Sequence, residues 1–177
     1  KKPYISCEYM HAMGNSLGGM KLYTDLEDRY PAYQGGFIWD YIDQAVYQEV
    51  NGERVLAYGG DFADRPSDYG FCTNGIVYAD RRESPKVYEV KKLYSNVRIT
   101  VSEKEAVVEN RNLFDDLKDK VFVIRLEEEG TLLEEREERL ILPPGEKGSL
   151  PIEFSIPQNG KEHVITVSMH TAKPCLW

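Results

Sequence analysis

The sequence predicts two joined parts, an α/β segment followed by an antiparallel β-sandwich, and three observations lead there. Composition changes near residue 96: before it lie most of the 14 glycines and many aromatic residues, and after it the chain turns to short apolar–polar alternations. The early chain reads strand, helix, strand with short turns. The later chain offers six or seven strand-sized runs over residues 96–177 and no helical period.

In the first part, Tyr4–Glu8 reads as a buried strand. A polar turn, His11-Ala12-Met13-Gly14-Asn15-Ser16, follows it, with Asn15 or Ser16 able to cap the next helix. That helix carries Met20, Tyr23, Leu26 or Glu27, and Tyr30 along one side and stops before Pro31. Gly35-Gly36-Phe37-Ile38-Trp39-Asp40 reads as a second buried strand. Strand–helix–strand with short turns is a parallel βαβ unit, and two parallel strands do not make a sheet alone, so further strands are expected from elsewhere. Ser84-Pro85 then caps and opens a helix on which Val87, Val90 and Leu93-Tyr94 recur at helical spacing. A helix here would hold two units together rather than let them swing.

In the second part, Val97–Val101 and Ile152–Ile156 alternate apolar and polar residues. Between and after them come Ala106–Val108, Val121–Leu126, Leu132–Leu142 with its interior charges, and Val164–Met169. Glu129-Gly130, Pro143-Pro144-Gly145 and Asn159-Gly160 supply the turns.

Bulk properties narrow the function. The net charge of −8 leaves no basic surplus for phosphate, so nucleic acid is not an expected partner. No apolar run has the length of a bilayer crossing, and no signal peptide opens the chain, which begins Lys1-Lys2-Pro3. Cys7, Cys72 and Cys175 form an odd set without CxxC spacing, which argues against a disulfide framework or structural zinc and for a reducing, cytoplasmic setting.

Glu8 stands where a strand gives way to a glycine-containing turn. A carboxylate at the C-terminal end of a parallel strand is where α/β barrels do their chemistry; the same position equally suits a glutamate that merely pairs with a neighbour. His11 by itself fits a hydrogen-bonded structural histidine, and Trp39 a core residue. Asp61, Asp64 and Asp68 lack the spacing of an EF-hand loop and read as loop charges. The acidic runs Glu127–Glu129 and Glu134–Glu138 read as a solvated sheet edge guarded by like charge. Cys7, alternating with Glu8, is expected to pack rather than react, and His163 and His170 carry no expected catalysis.

The full strings decide between these readings. Cys7-Glu8-Tyr9-Met10-His11-Ala12-Met13-Gly14-Asn15-Ser16 closely resembles the nucleophile signature of the β-galactosidase branch of glycoside hydrolase family 2. Tyr33–Asp40, Tyr58-Gly59-Gly60-Asp61-Phe62, Phe71-Cys72-Thr73-Asn74-Gly75 and Ala79-Asp80-Arg81 follow in that family's order and spacing. The resemblance covers residues 1–95 almost throughout and residues 96–177 more loosely.

It implies that residues 1–95 are the C-terminal part of a TIM barrel, the last two βα units of a (β/α)8 fold, with Tyr4–Tyr9 and Gln34–Tyr41 as its seventh and eighth strands. Residues 96–177 would be the immunoglobulin-like β-sandwich that follows. Glu8 matches the nucleophile that forms a glycosyl-enzyme intermediate, His11 a ligand of galactose hydroxyls, and Trp39 part of the galactose platform. Asn74 and the backbone carbonyl of Phe71 match part of a sodium site. The implied substrate is a terminal β-D-galactoside such as lactose. The acid/base glutamate, the ligands of a catalytic Mg2+ and the rest of the sodium site belong to earlier barrel segments, absent from these residues. The implied partner is therefore the remainder of the enzyme, expected to be a homo-oligomer, and the 177 residues alone are expected to be inactive. Another specificity of the family, β-glucuronidase or β-mannosidase, and a non-catalytic sandwich module are the rival expectations.

Overall fold

The computed structural model describes residues 2–14 and 17–174, and the chain divides into two compact units, Lys1–Tyr94 and Ser95–Trp177. In the first unit, β1 (Tyr4–Tyr9) and β2 (Tyr33–Ile38) run parallel, pairing Tyr4 with Tyr33, Ser6 with Gly36 and Tyr9 with Ile38. Helix α1 (Lys21–Arg29) connects them, completing the expected strand–helix–strand unit. The helix is not capped by Asn15 or Ser16 as expected, which lie outside the described residues: it opens at Lys21, with Met20 at the N-cap and no side-chain cap bond. The helix stops at Tyr30, before Pro31, because a residue preceding proline is driven to extended backbone.

Its buried face differs from the expected one. Met20 and Thr24 are buried and Leu26 is half-buried, while Tyr23, Glu27 and Tyr30 are exposed. Tyr23 still touches the core, its ring T-shaped to that of Tyr9 at 86° with centroids 5.4 Å apart.

Strand β2 ends at Ile38, short of the expected Tyr41, because the chain there changes partners. The Asp40 amide donates to the Asn74 carbonyl at 2.7 Å, and the Ile76 amide to the Asp40 carbonyl at 2.9 Å. A hairpin, β3 (Val46–Val50) and β4 (Glu53–Ala57), turns on Asn51-Gly52, both at positive φ as its two-residue loop requires. An irregular, largely exposed stretch covers residues 58–72. Helix α2 (Lys86–Leu93) opens one residue later than expected, with Pro85 rather than Ser84 at the N-cap, yet the Ser84 hydroxyl accepts from the Lys86 amide and the Ser84 carbonyl from the Val87 amide. Tyr9, Ala12, Leu17, Met20 and Ile76 form this unit's core, with Val87, Val90 and Leu93 of α2 packed against it.

The second unit sets two three-stranded antiparallel sheets over one core. One sheet orders β5 (Val97–Val101), β6 (Glu105–Asn110) and β9 (Lys147–Pro151), and the other β10 (His163–Thr171), β7 (Lys120–Glu128) and β8 (Thr131–Glu138). Val97, Ala106, Val108 and Leu150 from one sheet and Phe122 and Ile124 from the other share a single apolar cluster, which makes this a β-sandwich. Glu129 and Gly130, both at positive φ, turn β7 into β8. Only two residues separate Tyr94 from β5. The Ser95 hydroxyl donates to the Val97 carbonyl at 2.9 Å, and the Asn96 carbonyl accepts from the Arg111 amide at 2.7 Å.

One expected strand is missing from the ladders. Ile152–Ile156 keeps its alternation, with Ile152 buried and Phe154 and Ile156 half-buried, but it joins no sheet. Pro151 ends the preceding strand and Pro157 lacks an amide proton; past the Ile152 amide, which donates to the Lys104 carbonyl at 2.8 Å, the run packs apolar side chains inward and joins no ladder among the described residues. Leu132–Leu142 likewise shortens to the residues of β8.

Candidate functional site

The site forms where three backbone segments of the first unit meet: the end of β1, the end of β2 and residues 71–77. At the end of β1, Met10 takes φ +50, a left-handed conformation that a non-glycine residue adopts only at a cost. This bend carries the chain from Tyr9 to His11. The Trp39 amide donates to the Tyr9 carbonyl at 3.2 Å, and the Ala12 amide returns to the Trp39 carbonyl at 2.6 Å. Tyr9–Ala12 and Trp39 are thereby locked together through main-chain bonds that tolerate little drift.

The third segment joins on the far side of Asp40. Besides the Asp40–Asn74 and Asp40–Ile76 bonds, the Asp43 carboxylate accepts from the Gly75 amide at 2.7 Å. Gly75 has no room for a side chain: a Cβ there would stand 2.1 Å from the Asp43 amide nitrogen. These contacts place Phe71 and Asn74 beside the β1 turn, where the His11 and Phe71 rings lie with centroids 5.3 Å apart. Asn74 is 2% exposed. Its Nδ2 donates to the Phe71 carbonyl at 3.4 Å, and its Oδ1 is buried with no hydrogen-bond partner among the described residues.

Of the residues singled out in sequence, His11, Trp39, Phe71 and Asn74 are thus brought into one neighbourhood. Glu8 is one residue before Tyr9 at the same strand end, with its side chain exposed. Cys7 is exposed too, where packing was expected. The reason is that β2 is the single ladder partner of β1 among the described residues, so alternation along β1 does not translate into burial. Ile5 and Phe37, apolar strand residues, are also open to solvent. Cys72 is buried, and burial pushes its thiol upward. Cys175 lies outside the described residues.

The loop aspartates act on their own loop. The Gly60 amide donates to Asp64 at 2.8 Å and holds its carboxyl below the usual range, while the Tyr58 amide donates to Asp61 at 3.1 Å. Among the described residues no set of three or more His, Cys, Asp or Glu side chains is grouped to hold a metal ion. No described helix is long and apolar enough to cross a membrane.

Asp43 and Lys86 were not singled out in sequence, and Tyr94 only as one residue of a helix face, yet all three tie the site together. Lys86 Nζ donates to the Ala12 carbonyl at 2.6 Å, and the Tyr9 and Tyr94 hydroxyls bond at 2.7 Å. Burial and the bond to Tyr94 push the Tyr9 phenol well above its ordinary range. Tyr94 carried a signal, its place on the apolar side of a helix; Asp43 and Lys86 carried none.

Residues 1–99 match the family model described as glycosyl hydrolases family 2, TIM barrel domain. The chain belongs to glycosyl hydrolase family 2. Residues 106–177 match the model described as β-galactosidase, domain 4, so the family 2 barrel segment is followed by the sandwich already described. The chain is 51% identical over its whole length to a β-galactosidase of Streptococcus thermophilus, of which it covers 17%. It is 49% identical, again over its whole length, to a β-galactosidase of Clostridium acetobutylicum, of which it covers 20%. A β-galactosidase large subunit of Leuconostoc lactis is 59% identical over 52% of the chain, which covers 15% of that subunit. The family 2 chain thus spans a fifth or less of the length of these relatives.

Proposed function

We propose that these residues supply the nucleophile and part of the sugar pocket of a retaining β-galactosidase, with Glu8 attacking the anomeric carbon. The observation that carries the reading is the convergence of His11, Trp39 and Asn74 on the strand end that bears Glu8. A retaining glycosidase needs two carboxyl groups about 5–5.5 Å apart, one to attack and one to protonate the leaving oxygen. Glu8 takes the first role, forming a covalent galactosyl ester that water then hydrolyses. The exposed face of Trp39 offers apolar area to the C–H side of the sugar, and His11 reads its hydroxyls.

Asn74 Oδ1 and the Phe71 carbonyl are two oxygens suited to a hard cation such as Na+, and a buried oxygen without a partner favours that use. When bound, Na+ would supply a fixed positive charge for a sugar hydroxyl oxygen. The Mg2+ ligands and the acid belong to segments beyond these residues, and no step here draws on them. In this reading Tyr4–Tyr9 and Tyr33–Ile38 are the last two strands of a (β/α)8 barrel, and the exposed apolar residues Ile5 and Phe37 face barrel neighbours. The second unit is the immunoglobulin-like module that follows.

The test uses the complete enzyme and a 2-deoxy-2-fluoro galactosyl inhibitor. Peptide mapping should find the label on Glu8, and Glu8→Gln should remove nearly all turnover of an aryl β-galactoside while substrate still binds. The 177 residues alone should be inactive, since loss of the acid costs on the order of 10²–10⁴ in rate. Label on another residue, or turnover of aryl glucuronides in place of galactosides, would overturn the reading.

A further inference from the structure

We infer that helix α2 is a positioning brace for the turn between Glu8 and His11, with Lys86 and Tyr94 as its two pins; the inference rests on the role proposed for Glu8. The helix touches this turn through polar bonds at both ends and apolar contacts between. Near its start, Lys86 Nζ donates to the Ala12 carbonyl at 2.6 Å, a charge-assisted bond made part-buried. At its end, the Tyr94 hydroxyl meets the Tyr9 hydroxyl at 2.7 Å. Between them Val87, Val90 and Leu93 pack on the cluster that contains Tyr9 and Ala12. Eight helical steps from Lys86 to the C-cap Tyr94 set the pins roughly 12 Å apart along the axis.

What the pins enclose is the part of the chain that needs holding. Tyr9 and Ala12 bracket Met10, with its left-handed φ, and His11. The Ala12 peptide is engaged on both sides, its amide by the Trp39 carbonyl and its carbonyl by Lys86. Tyr9 is 7% exposed, wedged edge-on against Tyr23 and bonded at its tip to Tyr94. The β1–β2 register shifts between Ser6 and Tyr9, so the ladder alone does not fix Glu8, and holding the Tyr9 ring anchors the residue directly bonded to it.

The placement of Lys86 supports a role outside the helix. A cation in the first turn opposes the helix dipole, so Lys86 does nothing for α2 on its own account. Its bond reaches back 74 residues in sequence to the turn after the nucleophile. The start of α2 is itself anchored, since the buried Ser84 hydroxyl donates to the Ile76 carbonyl at 2.6 Å. Lys86 and Tyr94 act through Ala12 and Tyr9 and are positioning residues.

The experiment compares Lys86→Met, Lys86→Arg, Tyr94→Phe and the control Lys91→Met in the complete enzyme. Three quantities are measured: the first-order rate constant for labelling of Glu8 by the 2-deoxy-2-fluoro galactosyl inhibitor, KM, and the thermal midpoint. Lys86→Met should slow labelling by about 10–100-fold, the scale on which small misplacements act, with KM changed far less. Tyr94→Phe should slow it several-fold, Lys86→Arg should restore much of the rate, and Lys91→Met should match the unaltered enzyme. Labelling that falls only with the amount of folded protein, or stays at the unaltered rate in both Lys86→Met and Tyr94→Phe, would overturn the brace. Should Lys86→Met fail to fold, Tyr94→Phe, which removes one hydroxyl, carries the test. Failure to label Glu8 in the unaltered enzyme would instead remove the role of Glu8, and the brace with it.

Discussion

Gly36 lies so close to Ser6 that a Cβ on it would stand 2.9 Å from the Ser6 Cβ and 3.1 Å from the Ser6 carbonyl oxygen. The third neighbour is the Tyr9 ring, at 3.1 Å. Two of these three atoms belong to Ser6, on the strand that carries Glu8, and the third to Tyr9, the last residue of that strand and the tyrosine pinned by α2. The bare backbone of Gly36 therefore sets how near β2 approaches β1.

Gly36→Ala should push the two strands apart. Overpacking of this kind costs about 1–3 kcal/mol, and the displacement falls on Ser6 and Tyr9 together. In the complete enzyme, turnover should drop more than the urea midpoint implies. Normal turnover with a normal midpoint would show that the strands accommodate the methyl group.

The second unit should fold as residues 95–177 alone, because among the described residues the core on which both of its sheets close is drawn from this unit. Phe122 is wholly buried in it. Phe122→Ala should cost about 3–5 kcal/mol, a large part of the stability of so small a unit. Leu133→Ala, at an exposed position of β8, should change little. Cooperative urea transitions of the three proteins would establish this, and a broad transition in the unaltered piece would refute it.

Glu128 gives the second unit an acid-sensitive clasp. Its carboxylate accepts from Lys161, Asn159 and, at 3.1 Å, His163, joining the end of β7 to the chain that enters β10. The bonds from Lys161 and Asn159 pull its pKa down to about 2. A carboxyl depressed in the folded state stabilises above its ordinary value of 4.5, and that contribution is lost as pH falls toward about 2. Glu128→Gln should thus lower the urea midpoint at neutral pH, and its difference from the unaltered protein should shrink between pH 4.5 and about 2. A difference that grew on acidification would contradict the sign.

Much of the sandwich was legible in sequence because each strand has one face toward the core and one toward water, and alternation reports that difference. The same signal overreached at Ile152–Ile156, where side chains alternate between core and solvent although the run joins no sheet among the described residues. It was silent at β3 and β4, whose Val46, Tyr47, Val50, Val55 and Leu56 are all exposed, so no burial pattern marks them. The Asn51-Gly52 pair, both at positive φ, was the backbone signal that could have marked that hairpin, and it was not singled out. In the site, Glu8, His11, Trp39 and Asn74 stood out because whole strings resemble a family. Asp43 and Lys86 did not, because their bonds to Gly75 and Ala12 cross 32 and 74 residues of chain that no local pattern spans.

The short connection after Tyr94 also decides where a protease could enter. Such an enzyme must draw an extended, unbonded run of chain into its cleft, and Ser95 and Asn96 offer none, being two residues already tied by the Ser95 hydroxyl and the Asn96 carbonyl. The exposed, irregular residues 58–72 offer a longer target. A first cut there would not release the sandwich. It would divide the barrel segment, leaving Glu8 on one product and Lys86 and Tyr94 on the other, with the Ala12 and Tyr9 bonds and the apolar face of α2 holding the nicked halves together.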